Sequence, residues 1–207
     1  MAGKVTLVDY GMGNLWSVTS ALSYLGAEWQ TSSDPAVIRQ ADSLLLPGVG
    51  SFGMAMTALR QQGLDDAIQE AVRVRQRKIL GICLGMQLLA ERGTEDGNEA
   101  GLGFIGGSVE RFSEAELAGQ KVPHIGFNRV SAPADSRLFA GLAPAADFYF
   151  VHSFRLLPEG LPGKPGICNY GIDFMAAYEH ENIFATQFHP EKSQTNGLRL
   201  LSNFLAA

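Results

Sequence analysis

Two short stretches carry side chains that could do covalent chemistry together. The first is Gly81-Ile82-Cys83-Leu84-Gly85-Met86-Gln87, which sets one of only two cysteines between two glycines, directly after an apolar run. A cysteine that merely fills space needs no flanking glycine. A cysteine raised on a sharp strand-to-helix bend does, because neighbouring backbone must pass close to it. A helix start behind such a cysteine favours the thiolate, the nucleophilic form, and the N–H of Leu84 would point at an oxyanion forming on the attacked carbon. The second stretch is Gln187-Phe188-His189-Pro190-Glu191-Lys192-Ser193. Here His189 can take a thiol proton and return it to a leaving amine, while Glu191 holds the imidazole tautomer and stabilises its cation. Proline between them limits the local backbone. Taken singly, each stretch has an ordinary explanation: a buried cysteine at a tight turn, or a surface His–Glu contact. Together, in the order Cys…His-x-Glu, they predict a thiol nucleophile served by a base and its orienting carboxylate.

A third stretch, Pro47-Gly48-Val49-Gly50, follows another apolar run. Its glycines let a peptide rotate toward a substrate carbonyl and supply a second oxyanion donor. A plain strand–helix turn is the alternative.

These groups can meet only if the intervening elements bring them to one place. The first half of the chain alternates. Lys4–Asp9 is a buried-strand candidate, and Asn14–Leu25 is helical with Leu15, Val18, Leu22 and Leu25 on one face before Gly26. A short strand is predicted at Glu28–Thr31 and a buried one at Asp42–Leu46. A helical region covers about Met54–Gln76 with a break at Gly63, followed by strand Lys78–Ile82 and a helix from Leu84 to about Glu91. Such alternation predicts βαβ units: an α/β, doubly wound, mostly parallel sheet with helices on both faces. Ligands of such sheets bind at the carboxyl ends of the strands, where Cys83 falls. From residue 101 to 181 short alternating segments dominate and predict an antiparallel elaboration; Asn182–Phe188 returns to a buried run and Gly197–Leu205 to an amphipathic helix. A single domain over residues 1–207 is expected.

Composition narrows the function classes. Of 207 residues 46% are apolar and 18% charged, enough for a sizeable core, and the net charge of −5 offers no basic stripe for nucleic acid. The cluster Arg73–Lys78 reads as a solvated helix end, and the acidic stretch around Glu95, Asp96 and Glu99 as a wet loop. No targeting signal and no run of about 20 apolar residues is seen, which predicts a cytoplasmic protein off the membrane. The two cysteines suit a reducing compartment, and with four histidines they show no zinc-like spacing, so no metal or organic cofactor is expected. Cys168 reads as a small strand residue, and His124, His152 and His180 as satisfied polar groups.

The chain resembles the class I, triad-type glutamine amidotransferases over nearly its whole length. The residues that carry the resemblance are DYGMGN (9–14), LPGVGSFG (46–53), GICLGMQLL (81–89), PHIGFN (123–128), YFVHSF (149–154) and ATQFHPEKS (185–193). Within that family they are most similar to the glutaminase subunits of imidazole glycerol phosphate synthases. The resemblance implies a glutaminase with Cys83, His189 and Glu191 as its triad, Gly48, Val49, Gly50 and Leu84 at the oxyanion, and Gln87, Ser153 and Phe154 around the substrate glutamine. It also implies a heterodimer with a (β/α)₈-barrel cyclase subunit that receives ammonia through a channel, with Asn14, Phe127, Asn128, Tyr149 and Lys192 facing that partner. On their own, Asn14 reads equally as a helix cap and Tyr149 as a core aromatic. Phe127 stands where the family usually has tryptophan, which keeps a ring and loses an N–H donor; Phe154 replaces a common tyrosine. The resemblance further implies that the Pro47–Gly50 loop rests in an inactive peptide orientation until the partner acts. A glutaminase subunit of anthranilate or aminodeoxychorismate synthase, a free-standing thiol hydrolase such as a γ-glutamyl peptidase, and a non-enzymatic regulatory binding module are the competing readings.

Overall fold

A computed structural model describes residues 3–207. The main sheet has nine strands in the order β2-β1-β3-β4-β13-β12-β11-β8-β9. Its first part is parallel: β2 (Trp29–Ser32), β1 (Val5–Val8), β3 (Ser43–Gly48), β4 (Lys78–Cys83) and β13 (Ile183–Thr186). Its second part is antiparallel: β12 (Ile172–His180), β11 (Lys164–Tyr170), β8 (His124–Ser131) and β9 (Ala145–His152). The predicted antiparallel elaboration therefore extends the parallel sheet rather than standing apart from it.

The central strands are buried on both faces, and their alternate side chains feed two cores. Leu44, Leu46 and Ile79 join one core with α2 (Pro35–Arg39), α3 (Phe52–Gln61) and α4 (Leu64–Gln69). Leu45, Leu80 and Ile82 join the other with α1 (Leu15–Tyr24) and α6 (Gln194–Ala206). Helices thus cover both faces, as predicted. Asn14 caps α1 by accepting from Ser17 N–H at 3.5 Å, and Gly63, in the left-handed region at φ 65°, separates α3 from α4.

Two expectations differ from the structure. The helix behind Cys83, predicted to run to about Glu91, is only α5 (Leu84–Leu88). The main chain at Leu89 is captured instead by residues 104 and 105, whose N–H groups both donate to its carbonyl, at 2.8 and 2.9 Å. This begins a second, four-stranded sheet unforeseen in the sequence, ordered β10 (Phe154–Pro158), β7 (Ile105–Arg111), β5 (Ala90–Gly93), β6 (Glu99–Ala100). Tertiary pairing overrides local helix preference there. Strand β3 likewise runs past Leu46 through Pro47 and Gly48. Proline has no N–H to give a ladder, and it is tolerated because pairing with β1 stops at Leu45. Among the described residues, no helix is long and apolar enough to cross a membrane.

Candidate active site

Register alone brings the predicted groups together. Parallel pairing sets Gly48 of β3 beside Cys83 of β4, and Thr186 of β13 beside Ile82. The sheet therefore delivers the Pro47–Gly50 segment, the cysteine and the His189 segment to one edge, at the carboxyl ends of three adjacent strands.

Cys83 sits on a strained bend, with φ 54° and ψ −108°. Non-glycine residues hold such angles at a cost of about 1–3 kcal/mol, and only where the surroundings over-determine them. The flanking glycines supply that constraint. A Cβ on Gly85 would lie 1.7 Å from the Leu46 carbonyl oxygen, and one on Gly81 would lie 2.7 Å from the Gly85 carbonyl oxygen. The Leu84 N–H opens α5 directly after the thiol, with no preceding helical turn to accept from it. The thiol is 7% exposed and receives the side-chain N–H of Gln187 at 3.7 Å.

His189 lies three residues beyond β13. Its N–H donates to the Tyr149 carbonyl at 2.9 Å, and Ser193 Oγ donates to its carbonyl at 2.6 Å while accepting the Tyr149 N–H at 2.9 Å. The His189–Ser193 turn is thereby stapled to β9. The ring Nδ1 donates to Glu191 Oε1 at 2.8 Å, and both side chains are nearly fully buried. That bond fixes the tautomer and leaves Nε2 as the base. Nε2 makes no well-aligned hydrogen bond, although the Cys83 sulfur is near enough to stabilise the ring's cation. Burial disfavours the imidazolium, but Cys83 and Glu191 outweigh it and raise the His189 pKa from 6.5 to about 10.

A cleft of about 450 Å³ opens over these groups. Val49, Gly50, Leu84, Gln87, Ser153 and Phe154 line it, as does Lys192. Gln87 spends its amide N–H₂ on the Phe154 carbonyl at 3.0 Å and on Gln187 Oε1 at 3.1 Å, so its oxygen remains to accept from a ligand. Gly48 is buried, and the Val49 N–H is engaged by the Met12 carbonyl at 3.2 Å.

Three groups at the site were not singled out from the sequence. Gln187 lay inside a quoted motif, and only the fold aims its amide at the sulfur. Glu95, read as part of a wet loop, lines the cleft and accepts the Phe52 N–H at 3.0 Å, and its pKa is raised by burial. Arg111 lines the same cleft from the end of β7, opposite Phe154. Nothing local in the sequence marks either charge.

Of the expected partner-facing residues, Lys192 lines this opening, and Asn14, Phe127, Asn128 and Tyr149 do not. Phe127 is half exposed and meets Tyr149 edge-on, with ring centroids 5.6 Å apart. With Ile125 and Val151 they form an apolar face on the β8–β9 edge, and Val151 also lines the cleft. Lys192 is exposed. Asn14 is exposed but engaged as the α1 cap, and Asn128 donates to the Asn169 carbonyl at 3.1 Å. The last two thus have work to do within the chain.

Beneath the cleft, His152 and His124 form a neutral pair. The Phe154 carbonyl can only accept, so His152 Nδ1 donates to it at 2.8 Å, and His152 Nε2 must then accept from His124 Nδ1 at 3.0 Å. Burial lowers their pKa values to about 3 for His152 and about 4 for His124. Between pH 6.5 and those values the unfolded chain takes up protons that the folded chain refuses, so stability falls as pH drops through that window. His189 acts oppositely: its raised pKa contributes stability that is full below pH 6.5 and is lost as pH rises toward 10. Urea-unfolding midpoints are expected to peak near pH 6.5, with losses on the order of a few kcal/mol toward pH 4. A flat profile from pH 6.5 to 4 contradicts the buried neutral pair.

The glutamine amidotransferase class-I family model matches residues 6–207. The imidazole glycerol phosphate synthase subunit HisH of Moorella thermoacetica is 45% identical, covering 97% of this chain and 93% of that protein. Subunit HisH 1 of Campylobacter jejuni is 46% identical, covering 97% and 98%. Among solved structures, PurLQS from Thermotoga maritima superposes with a TM-score of 0.76 at 17% identity over 100% of this chain and 99% of that one. A glutamine amidotransferase crystal structure gives 0.76 at 20% identity, covering 98% and 97%.

Proposed function

The chain belongs to the class-I glutamine amidotransferases and, within them, to the HisH subunits of imidazole glycerol phosphate synthase, and from that premise we propose how it hydrolyses glutamine and where the ammonia goes. The observation that carries the mechanism is a cysteine on a strained bend beside a buried His–Glu pair, all at one edge of one sheet.

Glutamine enters with its side-chain amide against Cys83. His189 holds the thiol proton as the sulfur attacks the amide carbon, and a C–S bond forms while the carbonyl electrons move onto oxygen. The Leu84 N–H and a donor from the Gly48–Val49–Gly50 loop hold that oxyanion. Collapse breaks the C–N bond, and His189 returns its proton to the departing ammonia. Water, deprotonated by His189, then cleaves the γ-glutamyl thioester to glutamate. Glu191 keeps the ring oriented through both steps. At the other end of glutamine, Glu95 and the Gln87 oxygen suit the α-ammonium, while the main chain at Ser153–Phe154 and the Arg111 guanidinium suit the α-carboxylate. No step requires a metal or an organic cofactor.

Ammonia must reach its acceptor unprotonated, because ammonium has no lone pair. The partner is a (β/α)₈-barrel cyclase subunit that docks over the cleft mouth and receives ammonia directly. The apolar face of Ile125, Phe127, Tyr149 and Val151 supports this reading, since its Val151 end also borders the cleft. Asn14, Asn128 and Lys192 fall to the same interface.

The Val49 N–H is engaged by the Met12 carbonyl and must leave it to serve the oxyanion. An absent oxyanion donor costs about 10²–10³-fold in turnover. Glutaminase turnover of the chain alone is accordingly expected to rise by about that factor when the cyclase subunit and its nucleotide ligand are added. A steady-state assay in which the isolated chain already turns over at the full rate contradicts this.

A further inference from the structure

The loop that carries Val49 is held at two points by one segment, residues 10–12, and the two points differ in kind. Met12 offers its backbone carbonyl to the Val49 N–H at 3.2 Å. Val49 is 45% exposed, so water can replace that bond at small cost when the peptide turns. Tyr10 is 3% exposed and donates its hydroxyl to the Pro47 carbonyl at 3.0 Å. That bond is buried, and its loss would leave the carbonyl without a partner. The Tyr10 hydroxyl also occupies the space a side chain on Gly48 would fill, since a Cβ there would lie 2.3 Å from it. Gln62 in turn ties down the Tyr10 main chain, its side-chain N–H donating to the Tyr10 carbonyl at 3.3 Å.

We propose that Tyr10 is a positioning residue for the oxyanion loop: its hydroxyl pins the Pro47 carbonyl and so confines the swing to Gly48, Val49 and Gly50. The proposal rests on the reading of this loop as an oxyanion donor. Proline has a fixed φ, and with its carbonyl held the chain up to residue 47 is a rigid stop. Beyond it, Gly48 and Gly50 flank Val49, and Gly50 already stands at φ 108°, a conformation that suits glycine. A peptide turning from such a stop arrives in one place. With the stop removed, the same swing delivers the Val49 N–H over a spread of positions, few of which face the thiol. Burial and the nearby Cys83 raise the phenol pKa further above its usual value, so Tyr10 remains a donor at any working pH.

The test uses Tyr10→Phe, which fills the same volume and lacks only the donor, and Tyr10→Met as a second donorless variant, each assayed in complex with the cyclase subunit. Two reactions at Cys83 separate positioning from structure. Glutamine hydrolysis passes through an oxyanion, whereas alkylation of the sulfur by iodoacetamide displaces iodide and forms no oxyanion. Both variants are expected to lose tenfold or more in kcat for glutamine, with KM and the alkylation rate within twofold of the wild-type complex. Unchanged kcat overturns the proposal. So does a parallel loss of kcat and alkylation, which would mean that Tyr10 supports the Cys83 bend generally. A wild-type complex without glutaminase activity would instead remove the reading on which the proposal stands.

Discussion

Cys83→Ala is expected to lower glutamine-dependent synthesis by the complex by about 10⁴-fold or more, and to leave ammonia-dependent synthesis intact. The size follows from the chemistry: removing the nucleophile of a group that acts as a unit costs about as much as removing the whole unit. Such a loss corresponds to roughly 5.5 kcal/mol of transition-state stabilisation. The selectivity follows from the structure. Alanine keeps the Cβ, so the backbone at φ 54° meets the same steric demand, and the contacts of Gly81 and Gly85 are untouched. Externally supplied ammonia bypasses the thioester, so the cyclase should proceed at its own rate. The same substitution removes the sulfur that helps raise the His189 pKa, and an NMR titration of His189 should move downward. If both syntheses vanish together, Cys83 supports the complex rather than the chemistry.

Gly85→Ala should be among the most damaging single-methyl additions in this chain. Its Cβ would fall 1.7 Å from the carbonyl oxygen of Leu46 and 2.8 Å from that residue's carbonyl carbon. Leu46 is backbone of β3, paired with β4, so it cannot give as a flexible side chain would. A clash with paired backbone belongs with the severe overpacking mechanisms, at about 3 kcal/mol or more. For a chain of this size that is a fall of roughly 10 °C in melting temperature. Gly11→Ala is the control: it has φ 86° and open space around its Cβ. It should cost about 1 kcal/mol, from conformation alone. A Gly85→Ala melt within 3 °C of wild type would show that the strand–helix joint is looser than its geometry indicates. Residual glutaminase activity should fall even in the folded fraction, since the shift moves α5 and the Leu84 N–H.

The sequence by itself determined the groups at the candidate site that lie next to their chemistry in the chain. Cys83 between glycines, His189 two residues from Glu191, and the Pro47–Gly50 loop all follow apolar runs, and burial of those runs as parallel strands forces the three segments to the same edge. The central strands were legible for the same reason: the runs within Lys4–Asp9, Asp42–Leu46 and Lys78–Ile82 are too apolar to lie anywhere but between two layers, although the third strand's extension through Pro47 and Gly48 was not. What only the tertiary structure decided depends on partners distant in sequence. The chain at Leu89 leaves its helix because residues 104 and 105 claim its carbonyl, and no local signal announces that competition. Glu95 sits in an acidic stretch like any solvated loop, yet the second sheet carries it into the cleft. Tyr10 lies in a quoted motif with nothing in the sequence to mark its partner, and only the fold brings the Pro47 carbonyl within 3.0 Å of its hydroxyl. Local sequence can state which atoms are able to react, because reactivity resides in side-chain type and backbone freedom. Which neighbours hold, charge and aim those atoms is set by contacts across 15 to 104 residues, and those exist only once the sheet has closed.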